Sequence, residues 1–268
     1  MRQPRCGTDA RCEGYWTDCG YPSDDVPELV SGDNIHFPRG SDIDRLISFF
    51  DLKGLMTGLL ITLEGIDGSG KSTALQHMAR RIAERLPKKK IVLTAEPTSG
   101  EVGRILRAGL KEASGDGQAS PAKRMNELFL FMADHAEHLQ QIVLPSLKNG
   151  AVVLSDRYAD STAAYQGVTL RGIVPHPVFW IQEVFRPWNA LPDMTLLFLL
   201  DPELALKRLG SRQGKEKFEH LEFLRSVDEN FRRMASDEPE RFVLIDAAQD
   251  EEAVAGDAAR AVLKLLAR

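Results

Sequence analysis

Residues 59–72 read LLITLEGIDGSGKS. The first six are an almost unbroken apolar run, long enough for a strand and too short for a helix. Such a run is expected of a strand buried on both faces of a parallel sheet. Directly after it, Gly65-Ile66-Asp67-Gly68-Ser69-Gly70-Lys71-Ser72 fits the phosphate-cradling pattern G-x-x-x-x-G-K-[ST]. The spacing has a chemical reason. Glycines let the backbone turn tightly, so that successive N–H groups point inward at phosphate oxygens. Lys71 reaches the β- and γ-phosphates, and Ser72 offers a hydroxyl to Mg²⁺. The helix beginning at Ser72 aims its positive end at the same anion. Residues 65–73, through Thr73, therefore form the expected ATP-binding run: Gly65, Ile66, Asp67, Gly68, Ser69, Gly70, Lys71, Ser72 and Thr73. A strand before and a helix after supply the context that the motif requires.

Working outward, the same alternation continues. Short apolar runs at 91–95 (IVLTA), 151–155 (AVVLS), 195–200 (TLLFLL) and 242–246 (FVLID) predict four further strands. Helical patterns fall at 72–86, 103–113, 122–147, 175–185, 202–209, 219–235 and 251–266. Strand–helix alternation over this length predicts an α/β fold of three layers. The expected architecture is a P-loop NTPase fold, a five-stranded parallel sheet with helices on both faces. No internal repeat is visible.

The composition agrees with a globular protein. Of 268 residues, 43% are hydrophobic and 27% charged, which excludes a mainly disordered, collagen-like or disulfide-dense chain. A net charge of −5 gives no basic stripe for coating nucleic acid. No apolar run approaches the roughly 20 residues that span a bilayer, and no apolar leader segment opens the chain. Residues 1–55 differ from the rest. They hold six basic and ten acidic side chains and all three cysteines, Cys6, Cys12 and Cys19. The cysteine spacings match no paired zinc pattern, and the odd count argues against a closed disulfide framework. Recurrent proline and glycine predict a disordered or weakly docked extension. Met56, just before the first strand, is an alternative natural start. The expected domain is 56–268.

A second cluster follows the strand at 151–155: Asp156-Arg157-Tyr158, then Ser161-Thr162 and Ala164-Tyr165-Gln166-Gly167. Ligands of open α/β sheets sit beyond the carboxyl ends of the strands. Asp156 is therefore expected beside the glycine turn, where a carboxylate can hold Mg²⁺ or its waters. Arg157 would face the same crevice and fork onto phosphate oxygens. A structural ion pair is the other reading of these two residues.

With these motifs in order, the sequence resembles the thymidylate kinase family of nucleoside monophosphate kinases, from residue 56 to about 267. The matching stretches are LEGIDGSGKST, EPTSG, LFLFMADHAEH, LSDRYADSTAAYQG, PDMTLLFLLDPELALKR and KFE. The resemblance implies ATP- and Mg²⁺-dependent phosphorylation of dTMP to dTDP, in dTTP biosynthesis. It also implies a cytoplasmic homodimer with neither nucleic acid nor membrane as partner. Lys71, Arg157, Arg212 and Asp67 would be the catalytic set, with Ser72 and Asp156 holding the metal. Asp67 would lie near the sugar 3′-hydroxyl. Gly68 stands where some members carry a catalytic arginine. Members without it take one from a small lid, which the resemblance places at about 209–218 here and which makes Arg212 the first choice and Arg208 the second, with Lys215 and Lys217 nearby. Phe131 would stack on thymine. His135 takes the place of a base-binding arginine, with at most two hydrogen bonds where arginine offers a fork. Thr162 and Pro97 would shape the acceptor pocket, and Tyr165 would crowd the sugar 2′ position. Arg104 is a candidate phosphate contact, and Glu216 and Glu219 match lid acids. Three other readings stay open: a kinase of another nucleotide or deoxynucleoside, a non-catalytic nucleotide-binding module, and a nucleic-acid-directed ATPase.

Overall fold

A computed structural model describes residues 56–112, 119–210 and 220–267. Five strands form one sheet: β1 (Leu59–Glu64), β2 (Ile91–Ala95), β3 (Val152–Asp156), β4 (Met194–Leu199) and β5 (Phe242–Asp246). Every pairing is parallel, and the order is β2-β3-β1-β4-β5. The chain leaves β1 toward one edge, returns through β3, and crosses β1 to reach β4. This reversal opens a crevice beyond the carboxyl ends of β1 and β3. Register places Leu63 opposite Asp156, so the two strands end level and their next residues share that crevice.

Burial follows strand order. β1, β3 and β4 are enclosed almost throughout, whereas the edge strands β2 and β5 are mixed. Leu93 and Leu244, on those edges, are exposed. The apolar runs therefore reflect burial on both faces only for the inner three strands.

The connecting helices are α1 (Lys71–Arg85), α2 (Glu101–Glu112), α3 (Pro121–His138), α4 (Leu144–Lys148), α5 (Ala159–Thr169), α6 (Pro177–Phe185), α7 (Pro202–Leu209), α8 (Leu221–Asp237) and α9 (Glu251–Leu266). α1 packs on α9 and on the inner strands, while α5 packs on α3, α6 and α8. Side-chain caps fix several starts. Ser120 accepts the Lys123 N–H ahead of Pro121, Asp201 accepts Glu203 and Leu204 N–H ahead of Pro202, and Asp250 accepts the Ala253 N–H. Each satisfies a donor that the first helical turn leaves without a partner.

Three expectations change. β3 runs through Asp156 and β4 begins at Met194, one residue off the sequence-based bounds. The helix expected over 122–147 is interrupted by a π-helical turn, Leu139–Val143. Pro145, just beyond, has no N–H to donate back into the helix, and the ladder widens there. α5 was not expected at all. Nine consecutive residues, Ala159 to Gly167, are buried, so it shows no apolar stripe with a polar opposite face. The expectations for residues 1–55 and for most of the lid, Arg212 included, lie outside the described residues. Among the described residues, no helix is long and apolar enough to cross a membrane.

Candidate active site

The turn after β1 is built from glycines in the left-handed region. Gly68 has φ 81°, and a Cβ there would stand 2.6 Å from the Ala205 carbonyl oxygen of α7. No side chain fits without moving that helix, which excludes an arginine at this position. Gly70, φ 86°, turns the chain into α1. Lys71, the first residue of α1, is buried and folds back over the turn. Its Nζ donates to the carbonyls of Gly65 (3.0 Å) and Ile66 (2.9 Å) and to Ser69 Oγ (3.2 Å). Burial and then the nearby Arg157 cation lower its pKa to about 8, against the pull of Asp156, Asp67 and Glu64. The ammonium is thus held by neutral oxygens that an anion in the turn would replace.

Asp67, Gly68, Gly70, Lys71, Ser72, Thr73, Asp156, Arg157 and Leu209 line a cleft of about 150 Å³. Ser72 Oγ donates a hydrogen bond to Asp156 Oδ2. The other oxygen, Asp156 Oδ1, is buried and has no hydrogen-bond partner among the described residues. A buried carboxylate oxygen left this way lacks a donor. Among the described residues no group of three or more His, Cys, Asp or Glu could hold a metal ion. One carboxylate and one hydroxyl do suit Mg²⁺, which keeps several waters and takes its remaining ligands from phosphates.

Arg157, φ 72°, crosses from the end of β3 to the glycine turn. It donates to Asp67 Oδ1, to Ser161 Oγ at 3.1 Å and weakly to the Tyr165 hydroxyl at 3.4 Å. Its guanidinium lies 5.0 Å from the Tyr165 ring centroid, within reach of a cation–π contact. Burial would raise the Asp67 carboxyl, but Arg157 and then Lys71 outweigh it and hold its pKa below the ordinary value. Beneath them, desolvation and then Asp160 push buried Glu64 well up, and Ser161 donates to it.

A second cavity, of about 100 Å³, is lined by Asp67, Glu96, Pro97, Leu110, Phe131, Arg157, Tyr158, Ser161, Thr162, Tyr165 and Gln166. It shares Asp67 and Arg157 with the first cleft. Pro97, Phe131, Thr162 and Tyr165, drawn from β2's end, α3 and α5, are brought together here. His135 is not. It lies one turn beyond Phe131 on α3, fully buried, with its ring against Tyr158, Phe185 and Trp188. Its Nδ1 meets Glu96 Oε1 at 2.8 Å and its Nε2 meets Asn189 Oδ1 at 3.0 Å. The four-residue step keeps it on Phe131's side of the helix but carries it behind the pocket wall. Arg104 is exposed on α2, whereas Arg107 donates to the Pro97 and Thr98 carbonyls and braces the pocket loop. Arg208 turns to the Ala247 carbonyl at 3.2 Å. Arg107, Glu96, Ser161 and Gln166 went unnoticed as site residues, although the last three sit inside the quoted motifs. Nothing in a linear pattern said which of their side chains face inward.

Two clefts that meet at one carboxylate–arginine pair, at the switch point of a parallel sheet and over a glycine turn, define a P-loop protein of the nucleotide-kinase class. Its relatives narrow this further. The family model described as "Thymidylate kinase" matches residues 63–258. A "Probable thymidylate kinase" of Methanosarcina barkeri is 43% identical over 214 residues, 80% of this chain and 100% of that one. One from Natronomonas pharaonis is 45% identical over 210 residues, 78% of this chain and 100% of its own. One from Halobacterium salinarum is 41% identical over 208 residues, 78% of this chain and 97% of its own. The chain belongs to the thymidylate kinase family.

Proposed function

We propose that this protein transfers the terminal phosphoryl group of ATP to dTMP, with Mg²⁺, using residues 56–268 as the catalytic unit and about 209–218 as its lid. The observation that carries the reading is the sharing of Asp67 and Arg157 between the two clefts. A donor in the glycine turn and an acceptor against Phe131 would then meet at one arginine. The acceptor phosphate has a second pKa near 6 and is mostly deprotonated at neutral pH, so no general base is needed. The remaining task is to bring two polyanions together and neutralise the charge spreading over the transferred group. Lys71 leaves the Gly65 and Ile66 carbonyls for the β- and γ-phosphates. Arg157 keeps one nitrogen on Asp67 and offers its fork to the group in flight. Asp67 in turn accepts from the acceptor sugar. Ser72 and Asp156 would hold Mg²⁺, which supplies charge neutralisation at the phosphate oxygens. Arg212, in the lid, is the remaining cation of the proposed set. Pro97, Phe131, Thr162 and Tyr165 would enclose base and sugar, and His135 acts from behind the wall, through Glu96.

A coupled ATP assay across dTMP, dUMP, UMP, CMP, GMP and AMP tests this. Preference for dTMP is expected. Equal use of UMP would refute the role given to Tyr165, and no transfer to any acceptor would refute the kinase reading. The extension to a cytoplasmic homodimer is supported by the family alone, and sedimentation of the full chain tests the dimer.

A further inference from the structure

Glu96 is a carboxylate that lines the acceptor cavity together with Pro97, Leu110, Phe131 and Tyr158. Its two oxygens are not equivalent. Oε1 meets His135 Nδ1 at 2.8 Å and His138 Nδ1 at 2.6 Å, on α3. Both histidines are anchored on their far sides, His135 by Asn189 and His138 by Thr94 Oγ1 at 2.7 Å. Oε2 has no partner among the described residues. The side chain is 6% exposed, so whatever enters the cavity replaces nearly all the solvent that Oε2 sees. A charged acceptor with no donor is costly to enclose, and the occupant must bring one.

The class of donor follows from the asymmetry. A carboxylate with both oxygens free suits two adjacent donors, as on a guanine edge. Here one oxygen is spent on the histidines. That leaves a single acceptor, which suits a lone N–H flanked by carbonyls. A second open oxygen would be repelled by those carbonyls. We propose that Glu96 selects the acceptor base: Oε2 accepts the ring imide N3–H of thymine or uracil and disfavours a base whose ring nitrogen there has no hydrogen. The inference rests on the dTMP reading above. It gives His135 and His138 the part of positioning residues, which hold Glu96 ionised and turned. Burial would raise its pKa, but the two histidines bring it down to about 2.

The test uses the full chain, with Glu96→Gln, Glu96→Ala, and the probes dTMP, N3-methyl-dTMP and dCMP. Wild type is expected to favour dTMP over N3-methyl-dTMP in kcat/KM by at least about tenfold, the scale of one hydrogen bond to a charged group. In Glu96→Gln the histidine donors hold the amide oxygen and leave the NH₂ toward the cavity. The dCMP-to-dTMP ratio of kcat/KM should then rise at least about tenfold, while KM for ATP stays within about twofold. In Glu96→Ala the discrimination against N3-methyl-dTMP should collapse. A merely structural role would lower all acceptors together. Wild type that used N3-methyl-dTMP as well as dTMP, or a folded Glu96→Gln that kept the wild-type ratio, would overturn the proposal. If neither variant folds, the wild-type comparison decides. Failure of wild type to bind or phosphorylate dTMP would instead bring down the dTMP reading itself.

Discussion

The Tyr165 hydroxyl accepts the Asp67 backbone N–H at 3.0 Å and donates to Asp67 Oδ2 at 2.9 Å. One phenol thereby ties the glycine turn to α5, and Tyr165 also lines the second cavity. Burial, first of all, pushes its pKa well above the ordinary value, so it stays protonated and able to donate.

Tyr165→Phe separates the two parts of that side chain. The hydroxyl's loss leaves the Asp67 N–H without its partner, at about 1–3 kcal/mol. KM for dTMP should rise, while the ring continues to exclude ribose and the dTMP-over-dUMP-over-UMP order persists. Tyr165→Ala should lose the discrimination against UMP. Steady-state kinetics with both variants checks this, and a Tyr165→Phe enzyme that used UMP freely would contradict it.

Lys71→Ala removes the cation that the turn holds in readiness. On the scale for lost electrostatic donors, turnover should fall by about 10²–10³ or more. The fold should persist, because the partners left behind are loop carbonyls that an ATP-binding turn opens to water. Circular dichroism together with retained dTMP binding checks that the loss is chemical. Near-normal turnover by the folded variant would refute the mechanism.

The pKa of Lys71, about 8 in the folded chain against an ordinary 10.5, has two consequences. The folded state binds fewer protons than the unfolded state between those values, so this residue makes stability rise with pH across that window. A polyphosphate restores the charged form. ATP binding near pH 9 should therefore take up a proton, and affinity should fall as pH rises through about 8. Calorimetry in buffers of different ionisation enthalpy measures the uptake. Lys71→Arg, which does not titrate in this range, should abolish it.

Asp156→Asn keeps the shape of the group that Ser72 donates to and removes its charge. If Asp156 holds Mg²⁺ or its waters, half-saturation with Mg²⁺ should shift upward by about 10–100-fold, with KM for dTMP little changed. A Mg²⁺ titration of activity checks this. An unchanged Mg²⁺ requirement would return Asp156 and Ser72 to a purely structural pairing.

What could be read along the chain depended on whether a local rule applied. The glycine turn was legible because each of its residues has a reason that needs no distant neighbour: glycine for positive φ, lysine and serine for phosphate and metal. The inner strands were legible because burial on both faces leaves a continuous apolar run. α5 was not, since a helix enclosed on every side has no periodic stripe to detect. Its Asp160, engaged by Arg241 at 2.6 Å, and its Ser161 and Gln166 had no role assigned from the sequence, and Thr162 and Tyr165 had one only through the family resemblance. The interrupted helix before β3 looked continuous because its apolar spacing runs on through the π turn.

The sequence by itself determined the strand–turn–helix that cradles phosphate, the α/β alternation around it, and membership in a family of phosphoryl-transfer proteins. Only the tertiary structure decided that Asp67 and Arg157 serve two clefts at once, that Gly68 admits no arginine, and that His135 stands behind the pocket and grips Glu96 rather than lining it. The reason is physical. Helical spacing says which residues share a side of α3, but how far that side is covered depends on Phe185, Trp188 and Asn189. They lie some 50 residues further on, and only folding brings them there.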